Sequence, residues 1–86
     1  MTYEILVTDY NTIEKPRTVR NLKIATVYRY IKELRYEAIS KIGGNLDLQL
    51  LQTCSISKAI TRDGYVQLLA ITYNNTIIWD VKIKSL

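Results

Sequence analysis

The stretch that decides the fold is Tyr65–Lys84, which reads YVQLLAITYNNTIIWDVKIK. Two runs rich in β-branched and aromatic residues flank Asn74 and Asn75, and such runs are typical of β-strands. A two-residue type I′ loop needs a positive φ at both central positions, which asparagine tolerates better than other residues that carry a side chain. The sequence therefore predicts a β-hairpin whose loop is Asn74-Asn75.

This loop predicts which residues of the two strands face each other. Tyr73 is expected to pair with Thr76, and the register then follows residue by residue along both strands. Because paired residues lie on the same side of a sheet, one face of the hairpin is expected to form the core. That face would carry Val66, Leu68, Ala70, Ile77, Trp79, Val81 and Ile83.

The other face of the predicted hairpin is also apolar at its centre. A second hairpin turn, Asp63-Gly64, would pair a strand at Thr53–Thr61 with Tyr65–Tyr73 and extend this apolar outer patch. Contiguous apolar patches tend to mark binding surfaces, although scattered apolar surface without a role is also common. The predicted partner-binding residues are Ile56, Ile60, Tyr65, Leu69, Ile71, Tyr73 and Ile78.

The preceding chain predicts two strands, at Thr2–Tyr10 and Arg17–Leu22, followed by one helix at Thr26–Ile42. Thr26 is the expected N-cap, with Asn21 as the alternative, and Gly43-Gly44 is expected to end the helix. The helix carries an apolar stripe at helical spacing, made of Val27, Ile31, Leu34, Ala38 and Ile42.

Residues 46–60 are ambiguous, because Leu46, Leu48 and Leu50 alternate as in a strand and the phase then slips at Leu51. With a strand in this region, the predicted fold is a single α+β domain spanning residues 1–86. Its order is β-β-α-β-β-β, with one helix packed on one face of a mostly antiparallel sheet that ends in the C-terminal hairpin. The opposite face would be open, and a homodimer formed sheet to sheet would cover it.

Composition limits the class of protein further. The chain has 86 residues and a net charge of +4, and no apolar run approaches the ~20 residues of a membrane span. A single cysteine and an acidic N-terminus without a signal-peptide pattern favour a cytoplasmic location. Abundant isoleucine, lysine, asparagine and tyrosine indicate an A/T-rich genome, as in low-GC bacteria and their phages.

Residue types that carry catalysis are sparse. The chain has no histidine, which removes the commonest general base and the commonest metal ligand. Cys54 therefore lacks the usual partner of a nucleophilic cysteine and is expected to be a semi-buried structural residue. The carboxylates are scattered and no glycine-rich phosphate loop is present. We expect no catalytic residues, no metal and no cofactor, and hence no enzyme.

Two hypotheses of function follow. The first is a protein-binding module acting through the outer patch, of phage or mobile-element origin, that binds and inhibits a host protein. The second is a nucleic-acid-binding domain, because Lys15–Lys41 contains eight basic residues and only two acidic ones, and phosphate contacts are made mainly by arginine and lysine. Its predicted contacts are Lys15, Arg17, Arg20, Lys23, Arg29, Lys32 and Tyr36.

Overall fold

The C-terminal hairpin lies at the centre of the fold, which a computed structural model describes for residues 1–86. Adjacent strands are all antiparallel, and their order across the sheet is β2-β1-β5-β4-β3. The predicted α+β fold with its C-terminal hairpin is confirmed. The elements are β1 (Tyr3–Asp9), β2 (Arg17–Leu22), α1 (Ile24–Ile42), β3 (Leu48–Gln52), α2 (Ile56–Ala59), β4 (Val66–Tyr73) and β5 (Thr76–Ser85).

The hairpin loop has the predicted backbone conformation. Asn74 and Asn75 have φ angles of 50° and 63°, which is the left-handed region that a type I′ turn requires. Tyr73 pairs with Thr76, as the sequence predicts. The turn therefore sets the register at the end of the hairpin.

A β-bulge changes the register three residues beyond the loop. Ile78 has no partner on β4, so that Trp79 pairs with Ile71. The predicted pairing of Trp79 with Ala70 is therefore wrong by one residue. The bulge allows two consecutive apolar residues, Ile78 and Trp79, to contact the core on the same side of the sheet.

A second bulge at Leu68 restores the original register. Val81 pairs with Leu69 rather than with Leu68, and beyond the bulge Val66 pairs with Ile83 as predicted. Leu68 and Leu69 are both buried in the core. Each bulge thus resolves a place where neighbouring apolar residues cannot both be buried by strict alternation.

The segment between the bulges has the opposite orientation to the one predicted. Leu69 and Ile71, assigned to the outer patch, are each 1% exposed and belong to the core. Ala70 pairs with Asp80 on the other side of β4 and β5. The predicted outer patch therefore loses its two central residues, because the bulges turn them beneath the helix.

Helix α1 packs on this core face with the predicted stripe. Val27, Ile31, Leu34 and Ala38 are buried, and the helix ends at Gly43, which has a φ of 53°. The predicted start is wrong, because α1 begins at Ile24 after Lys23, whose side chain makes no cap hydrogen bond. Since only Lys23 separates β2 from α1, neither Thr26 nor Asn21 is placed to cap the helix.

Strands β1, β4 and β5 supply most of the remaining core. Their inward side chains alternate along each strand, apart from the bulges. The buried apolar residues that face α1 from the sheet are Tyr3, Ile5, Val7, Leu68, Leu69, Ile71, Trp79, Val81 and Ile83.

Residues 46–60 form a strand and a short helix. The strand β3 pairs with β4 without a bulge, Leu50 facing Ile71. The predicted strand at Thr53–Thr61 is wrong, because this segment contains the helical turn α2, whose N-cap Ser55 accepts a 3.4 Å hydrogen bond from the Lys58 N–H. The spacing of Ile56 and Ile60 is typical of one helical face, and this signal was available in the sequence.

The register predicts a large difference between two isoleucines of the hairpin. Replacing buried Ile71 by alanine should lower the free energy of unfolding by about 2–5 kcal/mol, since it opens a cavity in the core. The same change at Ile77, which is 38% exposed, should cost about 1 kcal/mol or less. Urea denaturation of the two variants measures both values, and a larger loss for Ile77→Ala would contradict the observed register.

Candidate functional site

One face of the sheet has no element packed on it. Helices α1 and α2 both lie on the other side, where side chains of both line a groove with Leu68 and Leu69. We call the uncovered side the open face. The strand registers place on it Glu4, Leu6 and Thr8 of β1, Thr18 and Arg20 of β2, Gln49 and Leu51 of β3, Gln67, Ala70 and Thr72 of β4, and Ile77, Asp80, Lys82 and Lys84 of β5.

At one end of the open face, a buried glutamate binds one residue of β2 and the residue that precedes β4. Glu4 forms an ion pair with Arg20, with 2.7 Å between Oε1 and the arginine Nε. The Tyr65 hydroxyl donates a hydrogen bond to the Glu4 Oε2. Lys84 of β5 pairs with Glu4 and lies between it and Tyr65. Its ammonium is 5.3 Å from the centroid of the Tyr65 ring, within the range of a cation–π contact. These residues form a row that crosses β2, β1 and β5 and ends at Tyr65, the residue before β4.

Near the other end of the open face, a buried aspartate has a similar role. Asp80 is 1% exposed, and its Oδ2 accepts hydrogen bonds from the Tyr10 hydroxyl at 3.1 Å and from Gln67 Nε2 at 2.9 Å. The Lys82 ammonium lies 3.8 Å from the same oxygen. The second oxygen, Oδ1, is buried and has no hydrogen-bond partner, which makes this carboxylate costly for folding.

The two carboxylates lie beneath the cations with which they pair. The Glu4 side chain is 7% exposed while that of Arg20 is 65% exposed, and Lys82 is likewise more exposed than Asp80. Solvent therefore meets N–H donors and positive charge, together with the rings of Tyr10 and Tyr65. Both hydroxyl groups are fixed from below, so that the rings lose little conformational freedom when they are covered.

Of the predicted partner-binding residues, the structure places Tyr65 beside the open face, 44% exposed. Tyr73 pairs with Leu48, which packs against the core, so Tyr73 lies on the helix side of the hairpin. The others are either buried in the core or packed against it: Leu69 and Ile71 are buried, whereas Ile56, Ile60 and Ile78 are half-buried. The predicted residues do not come together as one exposed patch, because they were assigned with an alternation that the bulges and α2 interrupt.

The predicted nucleic-acid-binding residues are also divided between surfaces. Arg17 lies on the helix side of β2, where its Nη2 binds Glu37 Oε2 at 2.8 Å, and this hydrogen bond raises the pKa of Arg17 above its ordinary value. Arg20 turns to the open face and binds Glu4. Successive strand residues point to opposite sides, so the basic stretch at 15–23 does not form one continuous basic surface.

The remaining members of that set are exposed. Lys15 lies in the loop before β2, and Lys23 precedes α1. Arg29, Lys32 and Tyr36 share the face of α1 that points away from the sheet, and none of them has an ion-pair or hydrogen-bond partner in the chain.

Sequence reasoning missed three of the residues that organise the open face: Glu4, Tyr10 and Asp80. Glu4 and Asp80 each stand within a strand whose neighbouring residues are buried, and an acid in an apolar strand is a signal that the sequence offers. The hydrogen bond from Tyr65 to Glu4 joins residues 61 positions apart, and the one from Tyr10 to Asp80 joins residues 70 positions apart. The sequence alone does not reveal these contacts.

Comparisons with known proteins identify no relative: no protein-family model, no curated protein and no solved structure matches the chain. Neither helix is long and apolar enough to cross a membrane. No group of three or more cysteine, aspartate and glutamate side chains is arranged to hold a metal ion. Cys54 is a free, half-buried cysteine between β3 and α2.

The Asp80 cluster predicts that two tyrosine hydroxyls differ in their contribution to stability. Tyr10→Phe should lower the free energy of unfolding by about 1–2 kcal/mol, because it removes a hydrogen bond from a buried carboxylate that is already short of partners. Tyr73→Phe is the matched control, since the Tyr73 hydroxyl makes no hydrogen bond, and it should change stability by less than about 0.5 kcal/mol. Equal effects in chemical denaturation would show that the Tyr10 contact does not form.

Proposed function

We propose that the chain is a protein-binding module without catalytic activity, and that it binds its partner through the open face. The observation that carries this proposal is the pair of tyrosine rings whose hydroxyls are held by buried carboxylates. Tyr65 is held by Glu4 and Tyr10 by Asp80. Tyrosine is enriched where proteins bind each other, and rings that are ordered beforehand cost little entropy when a partner covers them.

The charges on the open face define the chemistry of the partner. Lys84 lies beside the Tyr65 ring. Arg20 shares Glu4 with Tyr65, and Lys82 shares Asp80 with Tyr10, so both cations cover acids that are shielded from solvent. A partner surface rich in carboxylates and backbone carbonyls would pair with these donors and be attracted before contact. We therefore propose an acidic protein surface as the ligand.

The sheet architecture suits binding better than catalysis. The carboxylates of the open face already have structural partners, and the chain supplies no histidine to act as a general base. The abundance of isoleucine, lysine, asparagine and tyrosine, whose codons are rich in A and T, supports a phage or mobile-element source. In that setting, a module of this size would act by covering a surface of a host protein.

A pair of charge variants tests which surface binds. Lys82→Gln with Lys84→Gln removes two charges from the open face, and should abolish co-purification of the host protein that the unmodified chain retains. Arg29→Gln with Lys32→Gln removes the same number of charges from the exposed face of α1, and should leave it intact. Quantitative mass spectrometry of the captured protein gives the comparison, with circular dichroism to show that both variants fold. Loss of capture only in the α1 variant would overturn the proposal.

Nucleic acid is the competing ligand, because Arg29, Lys32 and Tyr36 lie exposed on one face of α1. We expect no tight binding of labelled duplex DNA, single-stranded DNA or RNA in fluorescence anisotropy titrations. Affinity that is high at about 50 mM salt and collapses at about 200 mM would instead indicate phosphate contacts. If the Arg29 and Lys32 changes then removed it, the α1 face would be the functional surface.

A further inference from the structure

The two edges of the sheet have opposite chemical character. The β2 edge carries Arg17 and Arg20, follows Pro16, and contains a register irregularity next to Asn21, whose φ is 60°. Charge, proline and bulges are the features by which natural sheets prevent unwanted pairing at an edge. The β3 edge reads LQLLQ over Leu48–Gln52, without a charge, a proline or a bulge. It has none of the protection that β2 has.

The backbone of β3 has hydrogen-bonding groups directed away from the sheet. The Thr53 N–H donates to the Leu68 carbonyl at 2.9 Å, so Thr53, Leu51 and Gln49 point their backbone groups towards β4. By the alternation of an antiparallel ladder, Leu50 and Gln52 point theirs outward. The outward N–H of Leu48 is already bonded to the Asn45 carbonyl. Leu50 and Gln52 therefore each offer a free N–H and a free carbonyl, and Leu48 offers a free carbonyl.

Exposed apolar residues lie beside this edge. The flank of α1 that overlooks β3 is identified by Arg35, whose Nη2 donates to Gln52 Oε1 at 2.6 Å. Ile39, one turn further along the same flank, is 54% exposed, and Leu46, just before β3, is 92% exposed. The edge and this flank form one surface that combines free backbone groups with apolar area.

We infer that this surface pairs with the same surface of a second copy of the chain, β3 against β3 in antiparallel orientation about a two-fold axis at Leu50. This register joins the free groups of Leu50 to those of the partner's Leu50, and the Gln52 N–H to the partner's Leu48 carbonyl, about four backbone hydrogen bonds in all. A two-fold axis requires a surface to be complementary to itself, and an uncharged strand meets this condition without repulsion.

The charges beside the strand favour a second copy over an unrelated peptide. Asp47 lies at the start of β3 and Arg35 beside its end, and neither has an ion-pair partner within the chain. Antiparallel pairing about Leu50 brings Asp47 of each copy to the end of β3 where Arg35 of the other copy lies. The two sheets would join into one of ten strands, with both open faces on the same side.

A proline substitution tests the pairing. Gln52→Pro removes an N–H that points to solvent in the single chain, so the ladder between β3 and β4 remains intact. The unmodified chain should sediment at about twice its mass of 10.0 kDa, and Gln52→Pro should sediment as the single chain with an unchanged circular dichroism spectrum.

A pair of lysine variants gives an independent check that does not alter the backbone. Gln49→Lys adds charge to the β3 edge and should weaken the dimer at least tenfold, whereas Thr18→Lys, the matched change on the β2 edge, should leave it unchanged. An unmodified chain that sediments at 10.0 kDa at every concentration, or a dimer that withstands both Gln52→Pro and Gln49→Lys, would overturn the inference.

Discussion

The pairing of β4 with β5 is the constraint on which the rest of the structure depends. These strands occupy the middle of the sheet, and the two bulges at Leu68 and Ile78 decide which of their residues face α1. Between the bulges, one phase of alternation buries Ile71 beside Trp79, and the other would bury Ala70 instead. Because the larger side chains fill the space beneath α1, the observed phase gives the core its volume, and it places Ala70 beside Asp80 on the open face.

How much the sequence predicts depends on how distinct its patterns are. The α1 stripe, the Asn74-Asn75 turn and the β-β-α-β-β-β order of elements along the chain are predicted from periodicity and turn signals. The sequence does not predict which residues of the hairpin face the core. Residues 68–71 (LLAI) and 76–79 (TIIW) are apolar at nearly every position, so either alternation yields an apolar face. Bulges depend on the fit of side chains against α1, which is a tertiary property that local pattern does not encode.

The charged residues of the candidate site likewise make contacts that the local sequence does not predict. Arg17 and Arg20 are close in sequence but lie on opposite faces of β2, and each pairs with an acid from another element, Glu37 and Glu4. Lys41 stands four residues after Glu37 on α1, a spacing at which oppositely charged residues can pair, but it pairs with Asp9 of β1 instead. A basic stretch read along the chain therefore overstates the positive surface. The hydrogen bonds that join Glu4 to Tyr65 and Asp80 to Tyr10 are recognised only once distant strands are brought together.

The open face and the β3 edge make different demands on a partner. Two open faces stacked on each other would bring Arg20, Lys82 and Lys84 against the same cations, and the apolar patch that could offset this repulsion is buried in the core. The sheet-to-sheet homodimer that the sequence predicts would place these cations against each other, which is why we propose an acidic surface as the partner instead. The β3 edge has no such charge and offers backbone groups that any strand could use, so its specificity must come from the flanking Asp47, Arg35 and Ile39. Self-association at the edge would leave the open face of each copy free, so the two interactions are compatible in one molecule.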